Sequence, residues 1–137
     1  MFYETLDHII ADTGIRVRGK NLEEVFCKAI LATFNEITDI EKVGVKEFHT
    51  VRAEAPIPFL LADTINRVLL LHETRGFVAS ECEVVEIGED FAVVRLGGER
   101  FDPKRHTPKV VIKAATYHGL KVEREKDSYV AEVIFDI

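Results

Sequence analysis

From Leu22 onward, apolar or small residues fall at Leu22, Val25, Phe26, Ala29, Ile30, Thr33, Phe34 and Ile37. That is the i, i+3, i+4, i+7 stripe of a helix with a buried face. Asn21 stands just before it as an N-cap, with Glu24 three residues later at the capping-box position. A second stripe follows Pro56 and Pro58, through Leu60, Leu61, Ile65, Val68, Leu69 and Leu71, and predicts a helix from Phe59 to Arg75 stopped by Gly76. Both helices read as one-sided lids over a sheet. The remainder has a period of two or is β-branched and aromatic: Gly14 to Lys20, Phe77 to Ile87, Phe91 to Leu96, Lys109 to Tyr117 and Tyr129 to Phe135. Turn signals separate these runs at Gly88-Glu89-Asp90, Gly97-Gly98, Pro103 to Pro108 and Lys126-Asp127-Ser128. Two helices among many adjacent strands predict an α+β domain, its helices packed on one face of a largely antiparallel sheet.

At 137 residues the chain is expected to form a single domain, residues 1–137. With 47% hydrophobic and 31% charged residues it has an ordinary globular composition, which excludes a disordered chain. Asp and Glu outnumber Lys and Arg by 24 to 18, a net charge of −6, so no global field draws the chain to phosphate backbones or anionic membranes. Apolar runs fall short of the ~18–20 residues that span a bilayer, and Met1 to Thr5 lacks the pattern of a signal peptide. The expectation is a soluble, cytoplasmic protein. Cys27 and Cys82 are too few and too far apart in sequence for a disulfide framework or a zinc site.

Local motifs for catalysis are weak. Gly14-Ile-Arg-Val-Arg-Gly19-Lys20-Asn21 approaches a phosphate-binding loop, but Asn21 stands where a magnesium-holding Ser or Thr belongs, and the intervening residues read as strand. The five histidines (His8, His49, His72, His106 and His118) lack spacing that would aim two imidazoles at one metal. Glu23 and Glu24 near Cys27 disfavour a thiolate. The basic groups Arg16, Arg18 and Lys20, and Lys104-Arg105-His106, read as solvated surfaces. The C-terminus carries more. Val133 to Ile137 continues as a strand to the last residue, and if that strand is paired, the Asp136 side chain and the Ile137 α-carboxylate are held close together. With Asp12, in a polar interruption between Ile10 and Gly14, they form an oxygen set suited to calcium or magnesium.

Several segments, taken in order, resemble the archease family. They are Asp7-His8-Ile9-Ile10-Ala11-Asp12-Thr13-Gly14-Ile15, Gly19 to Glu24, Phe101-Asp102-Pro103-Lys104-Arg105-His106, Lys113-Ala-Ala-Thr116-Tyr117-His118-Gly119 and Phe135-Asp136-Ile137. The resemblance spans essentially the whole chain. It implies an archease-like two-layer α+β fold containing a strand-helix-strand-strand module. It implies a non-catalytic helper of the GTP-dependent RNA ligase that joins a 3′-phosphate or 2′,3′-cyclic phosphate end to a 5′-hydroxyl in tRNA splicing and RNA repair. Such a helper promotes guanylylation of the ligase and its multiple turnover through transient protein–protein contact, meeting RNA only indirectly. The family's divalent cation, calcium or a relative, maps onto Asp12, Asp136 and the terminal carboxylate of Ile137. The motif lysine maps onto Lys113, as a ligase-assisting group. The family usually reads Asp/Glu-His-Thr-Ala-Asp; here Ile9-Ile10 replaces the single Thr. One extra residue reverses the facing of everything upstream unless a bulge absorbs it. The carry-over therefore includes Asp12, which keeps its spacing to Gly14, and stops short of His8. The alternative is a small metal-dependent phosphoester hydrolase using Asp12, Asp136 and a histidine such as His118 as base.

Overall fold

A computed structural model describes residues 1–6 and 12–137. Its elements run β1 (Glu4–Thr5), β2 (Thr13–Gly19), α1 (Leu22–Ile37), a 3-10 turn (Ile40–Lys42), β3 (Glu47–Glu54), α2 (Phe59–Arg75), β4 (Phe77–Ile87), β5 (Phe91–Arg100), β6 (Ala114–Ala115), β7 (Lys121–Glu125) and β8 (Ser128–Asp136). The strands form two sheets, not one. In the first, β1, β2, β8 and β6 lie side by side and β7 also pairs with β8; in the second, β5 sits between β3 and β4. Every described pairing is antiparallel. The α+β class read from the sequence therefore holds, with the sheet divided.

Both helices keep their expected bounds for the expected reasons. The Asn21 side chain accepts from the Glu24 N–H at 2.9 Å, while the Glu24 carboxylate turns away to pair with Lys28 at 3.0 Å. Gly76 ends α2 in the left-handed region at φ 67°, its N–H returning to the His72 carbonyl, a closure that glycine makes without steric cost. Neither helix is a simple lid. Helix α1 touches β2 and β8 of one sheet and β4 of the other, while α2 touches β3 and β6. Val25, Phe26, Ala29, Ile30, Ala32, Thr33, Phe34 and Ile37 are accordingly buried, more than half of the α1 circumference. The buried threonines cost little, because Thr33 and Thr64 return their hydroxyls to the carbonyls four residues earlier.

Three readings change in the fold. Gly97-Gly98 is not a turn but the buried middle of β5. There β4 approaches so closely that a Cβ on Gly98 would lie 1.9 Å from the Val78 carbonyl oxygen, beside a register shift between Ala79 and Glu81. The segment Lys109 to Tyr117 is mostly not strand, since only Ala114–Ala115 enters a ladder. The two cysteines, set aside as too distant for a cross-link, are disulfide-bonded from α1 to β4 with 5.4 Å between their Cα atoms. Sequence separation says nothing about that distance once a helix packs on a strand 55 residues later.

Candidate functional site

The carboxylates singled out in the sequence lie at one end of the first sheet. Strand β8 is central there, and its end is flanked on both sides. Thr13 pairs with Phe135 on the β2 side. On the other side Ala114 pairs with Asp136, and the Lys113 N–H donates to the Asp136 carbonyl at 2.8 Å. Phe135 is fully buried, so alternation turns Asp136 to the opposite, exposed face. Continuing the β2–β8 register by one residue sets Asp12, also exposed, opposite Asp136. Cross-strand partners share a face with Cβ atoms roughly 5 Å apart. The C-terminal strand is thus held to its end, and the terminal carboxylate of Ile137 follows Asp136 at the same tip.

Asp12 and Asp136, set opposite each other, repel, and a hard cation with oxygen ligands relieves such repulsion. The donor set fits such an ion, with two aspartates and one main-chain terminus. Among the described residues no three His, Cys, Asp or Glu side chains gather as a metal cluster. His8 and the Ile9-Ile10 insertion lie outside the described residues.

Lys113 reaches the tip on an irregular segment fastened at intervals. At its start, Glu99 is buried at 3% exposure and accepts from the Gly44 N–H at 2.6 Å, from Arg105 and from His106 Nε2 at 3.1 Å. Since His106 Nδ1 accepts from the Asp102 N–H at 2.8 Å, its Nε2 carries the proton that Glu99 receives. Burial pushes the Glu99 carboxyl up, but the Gly44, Arg105 and His106 hydrogen bonds outweigh it and hold the group down at about 2. Further along, Thr38 Oγ1 donates to the Thr107 carbonyl at 2.8 Å, and the Lys109 N–H donates to the Ile37 carbonyl at 2.9 Å. The Asn66 side chain then grips both backbone groups of Ala115, at 3.0 and 2.8 Å. Sequence reading missed this clasp. Its one visible signal was a lone acid, Glu99, next to the apolar run of β5 and just ahead of the Arg105-His106 pair.

Other candidates separate from the tip. Beyond Ala115 the chain bonds Thr116 to Ile134, so it moves along β8 away from Asp136 before reaching the exposed His118. The Gly14–Lys20 motif is strand β2 and its turn into α1. Arg16 and Arg18 spend their charge on Glu4 at 3.1 and 2.9 Å, and Arg16 also meets Glu132 at 3.2 Å, which removes them as a free phosphate-binding row. His72 faces Phe77, its Nδ1 2.9 Å from the Phe77 carbonyl. No helix among the described residues is long and apolar enough to cross a membrane.

Comparison with known proteins gives one consistent result. Residues 3–137 match the Archease protein family (MTH1598/TM1083). The archease of Pyrococcus furiosus is 35% identical over 140 residues covering 98% of each chain, and that of Methanopyrus kandleri is 35% identical with both chains covered in full. Among solved structures, protein 1598 of Methanobacterium thermoautotrophicum superposes with a TM-score of 0.83 at 28% identity, over 99% of each chain. An archease from Thermotoga maritima, described as a possible chaperone, shares the fold at a TM-score of 0.61 and 21% identity, over 94% of this chain and 93% of its own. With its antiparallel sheets, its two helices and a family match from Tyr3 to the last residue, this chain belongs to the archease family.

Proposed function

We propose that this protein is a non-catalytic activator of the GTP-dependent RNA ligase that seals 3′-phosphate or 2′,3′-cyclic phosphate ends to 5′-hydroxyls, promoting its guanylylation and multiple turnover. The observation that carries this reading is the double flanking of Asp136, by the Asp12 end of β2 and by Lys113 ahead of β6. Asp12, Asp136 and the Ile137 carboxylate would hold a divalent cation, calcium by family resemblance, which supplies positive charge for ordering a phosphate. What the chain itself does is fasten Asp136 between the Asp12 end of β2 and the Lys113 backbone at one sheet end. The exposed Lys113, whose N–H meets the Asp136 carbonyl, would offer an ammonium suited to phosphate oxygens. The partner is a protein, and RNA enters only through it. A net charge of −6 suits a basic, RNA-handling partner and steers encounter.

The test is ligation by the ligase with RNA substrate in excess and GTP present. Several products per ligase molecule are expected only when this protein is added. Asp136→Ala is expected to lose that stimulation while keeping the wild-type melting temperature, because its side chain is exposed. Full stimulation by the variant would overturn the role of the tip. Absence of stimulation by the wild type would overturn the activator reading.

A further inference from the structure

Exposed large apolar side chains are not spread evenly over this molecule. Five of the ten among the described residues (Phe59, Leu70, Val111, Tyr117 and Ile137) lie on α2, on the segment running along it, or at the tip. Phe59 and Leu70 are eleven residues apart on α2, three turns, and therefore share a side of the helix. The Tyr117 ring packs on Phe59 with centroids 4.8 Å apart, yet Tyr117 remains 53% exposed. At the other end of the stripe Leu70 is 53% and Val111 79% exposed. At the C-terminal half of α2, beside Val111, an open-mouthed cavity of about 440 Å³ is lined by Ile37, Leu69, Phe101 and Ile112. Asp63, Asn66 and Arg67 separate Phe59 from Leu70 on this side of the helix, so the exposed apolar side chain at the cavity itself is Val111; exposed apolar surface at a formed cavity is a usual mark of a protein-binding surface.

The charges around the cavity say what fits it. Lys109 and Lys113 stand at its wall, against the single acid Glu73, in a chain that is acidic as a whole. Lys113 is also the residue whose N–H meets the Asp136 carbonyl, so the cavity wall adjoins the end of β8 through its backbone.

Building on the activator reading, we propose that the α2–Val111 face is where the ligase docks. An apolar side chain of the ligase, flanked by a carboxylate, seats in the cavity against Lys109 and Lys113. The acidic tip then enters the neighbouring cationic cleft where phosphate is handled. The face supplies affinity and the tip supplies activation, and the two are separable by mutation.

Leu70→Glu and Val111→Glu alter exposed side chains and are expected to keep the wild-type circular dichroism and melting temperature. Binding to the purified ligase by isothermal titration calorimetry should weaken at least tenfold for each. Half-maximal stimulation of ligation should shift by the same factor, with full stimulation recovered at saturation. Asp136→Ala should do the opposite, binding within twofold of wild type and stimulating nothing. Wild-type affinity in both glutamate variants would overturn the docking face. Loss of wild-type self-association in Leu70→Glu by sedimentation equilibrium, with ligase affinity unchanged, would overturn it in favour of a second copy of this chain. Binding by the wild type without stimulation would overturn the activator reading alone, the calorimetry of the variants still deciding the face. No binding by the wild type would overturn both.

Discussion

Glu99 shows how much a single buried acid can organise. Its carboxylate is reached by the Gly44 N–H, by Arg105, and by His106 Nε2, with Lys46 3.6 Å away at the surface. Removing one partner of such a buried set leaves the rest uncompensated, at a cost of about 3 kcal/mol. Glu99→Gln is therefore expected to lower the melting temperature at neutral pH by roughly 10 °C, read by calorimetry. The pH dependence has a definite sign. The folded-state value of about 2 lies below the ordinary 4.5, so this stabilisation is complete above pH 4.5 and is lost as pH falls toward about 2. The gap in melting temperature between wild type and Glu99→Gln should narrow across that window; a constant gap would show that the ionised carboxylate is not what stabilises the clasp. Arg105 and His106 were legible from the sequence as a basic cluster, but the burial of His106 and the pairing of both with Glu99 were not. A histidine in a loop has no periodicity to betray which side faces inward, and only the positions of Gly44 and Glu99 decide it.

Among the elements, the helices were the most legible and the segment after Phe101 the least. The bounds of α1 and α2 rest on interactions within four residues: the Asn21 cap, the Gly76 stop and the apolar stripes. The edge strand β3 escaped because Phe48, Thr50 and Arg52 point outward and interleave with its buried side, leaving no apolar run to read. The segment Lys109 to Tyr117 has the composition of a strand, yet Ile37, Glu36 and Asn66 take up backbone groups that a neighbouring strand would otherwise use. One inter-element bond has a measurable consequence. The Cys27–Cys82 disulfide closes a loop of 55 residues between α1 and β4, and restricting the unfolded chain to that extent contributes about 4 kcal/mol in the chain-entropy model. Reduction with a phosphine should add two titratable thiols and lower the melting temperature by roughly 10 °C. Stimulation of the ligase should persist below the new midpoint, since the bond joins elements that do not carry the tip. An unchanged melting temperature on complete reduction would show that the packing of α1 on β4 suffices without the bond.

For the molecule as a whole, the arrangement of charge matters more than its total. Arg16 and Arg18 are paired with glutamates on neighbouring strands, whereas Asp12 and Asp136 are exposed at a sheet end. An acidic tip on a chain of charge −6 steers a basic partner over distances that salt screens, about 10 Å at 0.1 M ionic strength. The association rate with the ligase should therefore fall by about tenfold between 50 mM and 500 mM salt, in stopped-flow measurements, while the dissociation rate changes little. A salt-independent association rate would remove steering from the account and leave affinity to the apolar face.

The α+β class, both helices and four of the eight described strands (β2, β4, β5 and β8) were readable from the chain by periodicity and caps, while Asp12, Lys113, Asp136 and Ile137 were singled out chiefly by family resemblance. Periodicity and caps are local, and a local rule survives whatever the rest of the chain does. The tertiary structure alone decided that the sheet is split in two, that Gly98 is a close approach and not a turn, that Cys27 meets Cys82, and that Glu99 clasps Arg105 and His106. It also decided that Asp12 and Lys113 arrive on opposite sides of Asp136. Most of these rest on how elements tens of residues apart meet, and in the strand pairings a one-residue slip would turn the same side chains to the other face.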